Sequence, residues 1–248
     1  MIPKIIHYCW LSGDPYPNDI KRCMETWKKK LPDYTFMLWD TKRFDVSSSL
    51  WVKQAFEAKK YAFAADYIRL YALYHYGGIY LDTDVEVLKS YNSLLELDMF
   101  LGYDHTSEAY EVATWGMNKG NPIIKCLLDY YNQLAFIRDD GTYEQTVMPK
   151  VVAKIWSEYG YNIWLVHSID EAKEKLLRGD MNIPIFPREW FCPLDWYTFK
   201  LHLVKETYSI HRYKGGWLED SIKKERAILS KLGPYLPRVW RKLQSWFR

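Results

Sequence analysis

From Ile2 to Trp10 apolar and β-branched residues dominate, and Ser12-Gly13-Asp14-Pro15 then breaks the pattern, so the chain opens on a buried strand followed by a loop. Between Asp19 and Lys30 the apolar residues Ile20, Met24 and Trp27 recur at helical spacing, with Pro32 just beyond, which predicts a helix. Thr35 to Trp39 reads as a second strand, and a β-α-β opening favours a sheet with helices packed on its faces. The stretch from Leu50 to Tyr76 predicts one long helix, rich in alanine at Ala55, Ala58, Ala62, Ala64 and Ala65 and ended by Gly77-Gly78. Ile79-Tyr80-Leu81 must then be a strand, with Asp82-Thr83-Asp84 at its C-terminal end and extended structure resuming over Val85 to Leu88. A strand over Met99 to Tyr103, a helix from Pro122 to about Phe136 and another from Thr146 to Tyr159 precede a polar, aromatic-rich region. No repeat or low-complexity linker divides the chain. The expectation is an α/β protein with a single domain over residues 1–230 and a basic amphipathic tail over 231–248, where Val239, Trp240, Leu243, Trp246 and Phe247 share one helical face.

Composition narrows the chemistry. The 248 residues include 12 Trp and 21 Tyr, more than packing alone usually asks for, and flat amphipathic rings are a common means of gripping sugars and nucleobases. Cys9, Cys23, Cys126 and Cys192 are scattered, without a C-x-x-C pair or a His cluster at zinc spacing, so neither a disulfide framework nor a zinc site is expected. No secretory signal precedes Ile2, and no stretch of about 18 uncharged apolar residues is present. The expectation is a cytoplasmic protein, soluble or peripheral on the inner face of the membrane. The formal charge is +3, but Lys231, Arg238, Arg241, Lys242 and Arg248 lie in the tail, which leaves a nearly neutral body and argues against nucleic-acid binding. The aromatic and basic residues of the tail suit contact with an anionic membrane surface, or docking on the protein's own domain.

The candidate chemistry centres on Asp82 and Asp84. Two residues apart on extended chain, they point the same way at the edge of a sheet where open α/β folds bind ligands. Carboxylates there suit Mg²⁺ or Mn²⁺, ions that also take phosphate oxygens and offset the charge on a departing nucleoside diphosphate. Alone, Asp-x-Asp is a weak sign, since a solvated turn carries the same residues. Asp66 and Arg69 share one face of the preceding helix, and the apolar Ala62, Phe63, Ala64, Ala65, Ile68 and Leu70 around them argue for a buried pair beside a polar ligand rather than a surface salt bridge.

Together these segments resemble a known family. Ala65-Asp66-Tyr67-Ile68-Arg69 and Tyr76-Gly77-Gly78-Ile79-Tyr80-Leu81-Asp82-Thr83-Asp84 are similar to the sugar-binding DXD region of family thirty-two glycosyltransferases. Ile2-Pro3-Lys4-Ile5-Ile6-His7-Tyr8-Cys9-Trp10 resembles that family's opening strand, and His211 with Gly215-Gly216-Trp217 its closing motif. The resemblance implies a GT-A-type, Rossmann-like nucleotide-sugar-binding domain with a central mixed sheet flanked by helices. It implies a retaining, metal-dependent transfer of a hexose, with a UDP-hexose as first donor and GDP-mannose as second, to a glycan or lipid-linked acceptor in surface polysaccharide or lipopolysaccharide synthesis. It further implies that Trp10 stacks on the base, that Asp66 and Arg69 meet the sugar or diphosphate, and that His7 and Trp217 belong to the donor site. Asp82, Asp84 and His211 would hold Mn²⁺ or Mg²⁺. Ala65 departs from the serine often found at its position, which removes one hydroxyl contact. Glu111, Thr114, Trp115, Asn118 and Gln145 are further candidates to face donor or acceptor. A metal-dependent phosphoryl or nucleotidyl transferase and a non-catalytic sugar-binding module are the competing classes.

Overall fold

In the computed structural model, which describes residues 1–104, 109–179, 181–195, 198 and 200–214, the opening run forms β1 (Ile5–Cys9), followed by α1 (Asn18–Lys30) and β2 (Thr35–Trp39). The expected β-α-β unit is present. Next come α2 (Leu50–Glu57), α3 (Tyr61–Tyr76), β3 (Gly78–Leu81), β4 (Val85–Val87), β5 (Met99–Asp104), β6 (Ala109–Met117) and α4 (Pro122–Asn132). Then follow α5 (Met148–Glu158), β7 (Asn162–Leu165), α6 (Ile169–Leu177), β8 (Asn182–Ile185) and β9 (Ser209–His211).

Five strands make the central sheet in the order β2-β1-β3-β6-β5, parallel across β2, β1 and β3 and antiparallel through β6 and β5. It is the mixed sheet flanked by helices that was expected. Alternation along the strands feeds two cores. Tyr80, Leu101 and Trp115 pack on one face with residues of α2, α3, α4 and α5, while Ile6, Ile79, Leu81 and Phe100 pack on the other with Trp27 of α1 and Ala172 of α6. Two small sheets lie outside it, an antiparallel β4–β9 pair and a parallel β7–β8 pair.

The stretch Leu50 to Tyr76 is not one helix. It breaks at Ala58-Lys59-Lys60, where Lys59 takes φ +57° and the Lys60 N–H reaches back to Ala55 O at 2.8 Å. This is a helix-ending turn of the kind glycine usually makes, here made by lysine, so the sequence lacks the residue that would announce it. The next helix ends where expected. Gly77, at φ +65°, donates its N–H to Leu73 O, and Gly78, at φ +110°, begins β3 directly. A Cβ on Gly78 would lie 2.7 Å from Ile5 O, so only glycine lets β3 come this close to β1. With no loop between α3 and β3, the last residues of β3 are fixed in relation to the helix.

Candidate active site

The Gly-Gly junction sets the site. It carries the chain from α3 into β3 and delivers Asp82 and Asp84 to the C-terminal end of that strand, alongside α3. Asp82 N–H pairs with Ala113 O at 2.9 Å, and Val85 N–H closes a turn on Asp82 O at 3.0 Å. From the other side α1 holds β4: the Trp27 indole N–H donates to Val85 O at 2.6 Å, and Thr26 Oγ1 accepts from Val87 N–H at 2.8 Å. Strand β9 then brings in the distant end of the described chain, with His211 opposite Val85.

A cavity of about 900 Å³ opens at this edge, and Trp10, Asp66, Arg69, Asp82, Asp84, Glu111 and His211 all line it. One ligand atom from each of Asp82, Asp84 and His211 can be chosen so that all three lie within 4.8 Å of one another. Two carboxylates and an imidazole make a donor set that fits Mn²⁺, and also Mg²⁺ with further oxygens from a ligand or water. Asp84 is held in place from the backbone: its Oδ2 accepts the Lys214 N–H at 2.7 Å, and its carbonyl accepts the Arg212 N–H at 3.1 Å.

Arg69 joins the helix to the strand. Its Nη2 lies 3.2 Å from Asp66 Oδ1 and 3.3 Å from Asp82 Oδ1, its Nη1 donates to Val112 O at 2.9 Å, and the guanidinium sits 4.5 Å from the centre of the Tyr80 ring. Asp66 and Arg69 are both buried, as their apolar sequence context led us to expect. Burial pushes the Asp66 carboxyl up to about 7, with Arg69 opposing the rise and Asp82 adding to it. Burial likewise raises Asp82, again against Arg69 and with the help of Asp84. Arg69 is driven the other way from a neutralised group: burial works against its charge, but Asp82, Tyr80 and Asp66 hold it protonated. One cation thus serves two acids whose own charges are costly here.

His211 bridges two acids of its own. Its Nε2 lies 3.6 Å from Asp84 Oδ1 and its Nδ1 lies 3.3 Å from the Glu111 carboxylate. Burial opposes its charge, yet Glu111 and Asp84 push its pKa up to about 10, so in the absence of a cation the ring is an imidazolium.

Other expected residues fall elsewhere. His7 is fully buried with both ring nitrogens engaged: Nδ1 accepts the Trp39 indole N–H at 3.1 Å and Nε2 lies 2.7 Å from Gly77 O. It does not line the cavity: it shares a face of β1 with Cys9, which does, but lies two residues deeper and is covered by the Gly-Gly junction, so its expected place in the donor site is corrected to a structural one. Trp115 is wholly buried, Thr114 is buried within hydrogen-bond reach of Ser209, and Asn118 is bonded to Asp98 and Asn121. Gln145 lines a second, smaller hollow with Arg138 and Tyr143. Gly215, Gly216, Trp217 and the tail lie outside the described residues. Among the described residues no helix is long and apolar enough to cross a membrane. Contacts not foreseen include Lys214, whose ammonium pairs with Asp19 at 2.7 Å beside the cavity, and the pairing of Glu111, a candidate from sequence, with the back of His211.

With this geometry in view, residues 17–101 match the family model described as a glycosyltransferase sugar-binding region containing a DXD motif, a span that includes Asp66, Arg69, Asp82 and Asp84. A mannosyl phosphorylinositol ceramide synthase of Saccharomyces cerevisiae is 33% identical over 108 residues, 41% of this chain and 28% of that protein. An inositol phosphoceramide mannosyltransferase of Schizosaccharomyces pombe is 28% identical over 191 residues, 70% of this chain and 52% of its own length. The chain therefore spans about a quarter to a half of the length of these curated relatives. Among solved structures, the PaToxG glycosyltransferase aligns with a TM-score of 0.49 at 21% identity, over 64% of this chain and 70% of that one.

Proposed function

We propose that this chain is a metal-dependent, retaining glycosyltransferase that takes a hexose from a nucleotide-sugar donor to a glycan or lipid-linked acceptor. The observation that carries this is the meeting of Asp82, Asp84 and His211 in one cavity with the buried Asp66–Arg69 pair. The matched DXD sugar-binding region and the mannosyl-transferring relatives support the same class. A cavity of about 900 Å³ falls within the range of small-molecule sites and suits a nucleotide-sugar with part of an acceptor.

When bound, Mn²⁺ or Mg²⁺ offsets the charge that develops on the departing diphosphate. The chain's own groups do the remainder. Trp10, held by its indole N–H on Asp14 O at 2.7 Å and packed on Tyr16, offers a fixed plane for the base. Asp66 faces the cavity as an acceptor for sugar or ribose hydroxyls. Arg69 is spent on Asp66, Asp82 and Val112 O, so its part in this scheme is to orient the two carboxylates rather than to grip the diphosphate itself. Positioning, exclusion of water and stabilisation of the leaving group supply the rate, and the leaving diphosphate takes the acceptor's proton.

Because two relatives are mannosyl-transferring enzymes, we put a mannose donor ahead of a UDP-hexose, and their inositol phosphoceramide acceptors support a lipid-linked acceptor here. In our reading residues 1–230 form the transferase domain and 231–248 a basic tail that meets the inner face of a membrane, in surface polysaccharide or lipopolysaccharide synthesis. A donor screen tests the assignment. Purified protein with Mn²⁺ or EDTA is given GDP-, UDP- and dTDP-sugars, and release of nucleoside diphosphate is scored. Release from one donor, abolished by EDTA and by Asp84→Asn, is the expected result. Silence across the panel, with no metal-dependent nucleotide binding by calorimetry, would overturn it and leave a sugar-binding module or another transferase class.

A further inference from the structure

Glu111 is an acid where β6 is otherwise packed inside the protein. Val112, Ala113, Trp115 and Met117 beside it are buried, and Glu111 itself is only 3% exposed. Its carboxylate is anchored from the backbone, with Oε1 accepting the Ala113 N–H at 2.6 Å. Its side-chain partners are His211 Nδ1, at 3.3 Å across the site, and the Cys192 thiol. The opposite nitrogen of the same ring, Nε2, faces Asp84 Oδ1 at 3.6 Å, on the side where the ring meets Asp82 and Asp84. The imidazole therefore stands between a fixed carboxylate and the candidate cation site.

A neutral imidazole has one N–H and one lone pair. With the carboxylate at Nδ1, the favourable tautomer keeps the proton there and leaves the Nε2 lone pair directed at Asp82 and Asp84. The other tautomer would set a lone pair against the carboxylate and an N–H against the cation. We infer that Glu111 is a positioning residue for the candidate cation site, accepting Nδ1–H of His211 so that Nε2 is oriented and free to ligate. The inference rests on the cation site of the proposed function. Carboxylates behind ligating histidines raise metal affinity about 10–100-fold in such arrangements.

The test is Mn²⁺ binding to the full chain, followed by electron paramagnetic resonance of the free ion, for wild type, Asp84→Asn, Glu111→Gln, His211→Ala and the double Glu111→Gln/His211→Ala variant. Glu111→Gln is expected to weaken Mn²⁺ about 10–100-fold, and to weaken it no further once His211 is Ala. If His211→Ala weakens binding but Glu111→Gln does not, the inference fails while the cation site stands. Equal losses from Glu111→Gln with and without His211 would also sink it, since Glu111 would then act by another route. If neither Asp84→Asn nor His211→Ala alters Mn²⁺ binding, the cation site fails and the inference with it. A measurement that needs no variant is nitrogen-15 NMR of His211 in the Mg²⁺-saturated wild-type chain: a proton on Nδ1 is expected, and a proton on Nε2 would refute the proposal.

Discussion

Acidification should destabilise this protein through His7 well before general acid unfolding. Burial holds the ring neutral and lowers its pKa to about 4, from 6.5 for a free histidine; the hydrogen bond to Gly77 O opposes the shift, and Arg43 adds to it. Local geometry gives the same sign. The neutral ring carries its proton on Nε2, donated to Gly77 O, and accepts the Trp39 indole N–H on Nδ1. Protonating Nδ1 would set two donors against each other. Because the folded pKa is the lower one, the unfolded chain takes the proton first as pH falls through 6.5, and stability drops until the folded ring also titrates near 4. The linked loss is about 2 kcal/mol between pH 7 and pH 5 and approaches about 3.4 kcal/mol below pH 4. The assay is urea unfolding of wild type and His7→Gln at intervals from pH 7 to pH 5. Replacing His7 costs stability at every pH, but the variant lacks this titration, so the gap between the two proteins should narrow by about 2 kcal/mol on going to pH 5. Parallel curves, or an imidazole that titrates near 6.5 by NMR in the folded protein, would refute the reasoning.

Arg69→Met should cost about 3–5 kcal/mol, because Asp66 and Asp82 lose their shared cation while one of them stays buried; adding Asp66→Asn should recover part of that loss in urea unfolding, and a cost under about 1 kcal/mol would contradict the pairing. Gly13→Ala meets no atom within 4 Å and should cost only about 1–2 kcal/mol for its φ of +73°, whereas Gly78→Ala, driven into Ile5 O, should cost about 1–3 kcal/mol more. Equal melting-temperature losses for the two would count against close packing of β3 on β1. Trp10→Ala should weaken nucleoside diphosphate binding by about 1–3 kcal/mol in calorimetry, as loss of a stacking surface does elsewhere; unchanged affinity would remove Trp10 from the base site.

The parts of the fold that were legible before the structure depend on local pattern. The β-α-β opening shows in the spacing of Ile20, Met24 and Trp27, and the turn into β3 shows in Gly77-Gly78, because backbone geometry there demands glycine. The break before α3 did not show, since Lys59 adopts a positive φ without the residue type that advertises one. Asp66 and Arg69 could be paired from helical spacing, but their link to Asp82 depends on how α3 lies against β3. His7 illustrates the opposite limit. It stands three residues from Trp10 and on the same face of β1 as the cavity-lining Cys9, and only the approach of Gly77 over its ring takes it out of the site.

The pairing of β4 with β9 has a consequence for the order in which this protein comes into being. Asp84 is separated from Lys214, whose N–H secures its carboxylate, by 130 residues. On a ribosome adding about 5–20 residues per second, Asp84 waits roughly 6 to 26 s for that partner. During that interval the nascent chain can pack β1, α3 and β3, yet the acids at their edge have no His211 to complete a grip on a cation. On the proposed function, the three-residue cation site cannot form before His211 has left the ribosome, however early β3 folds.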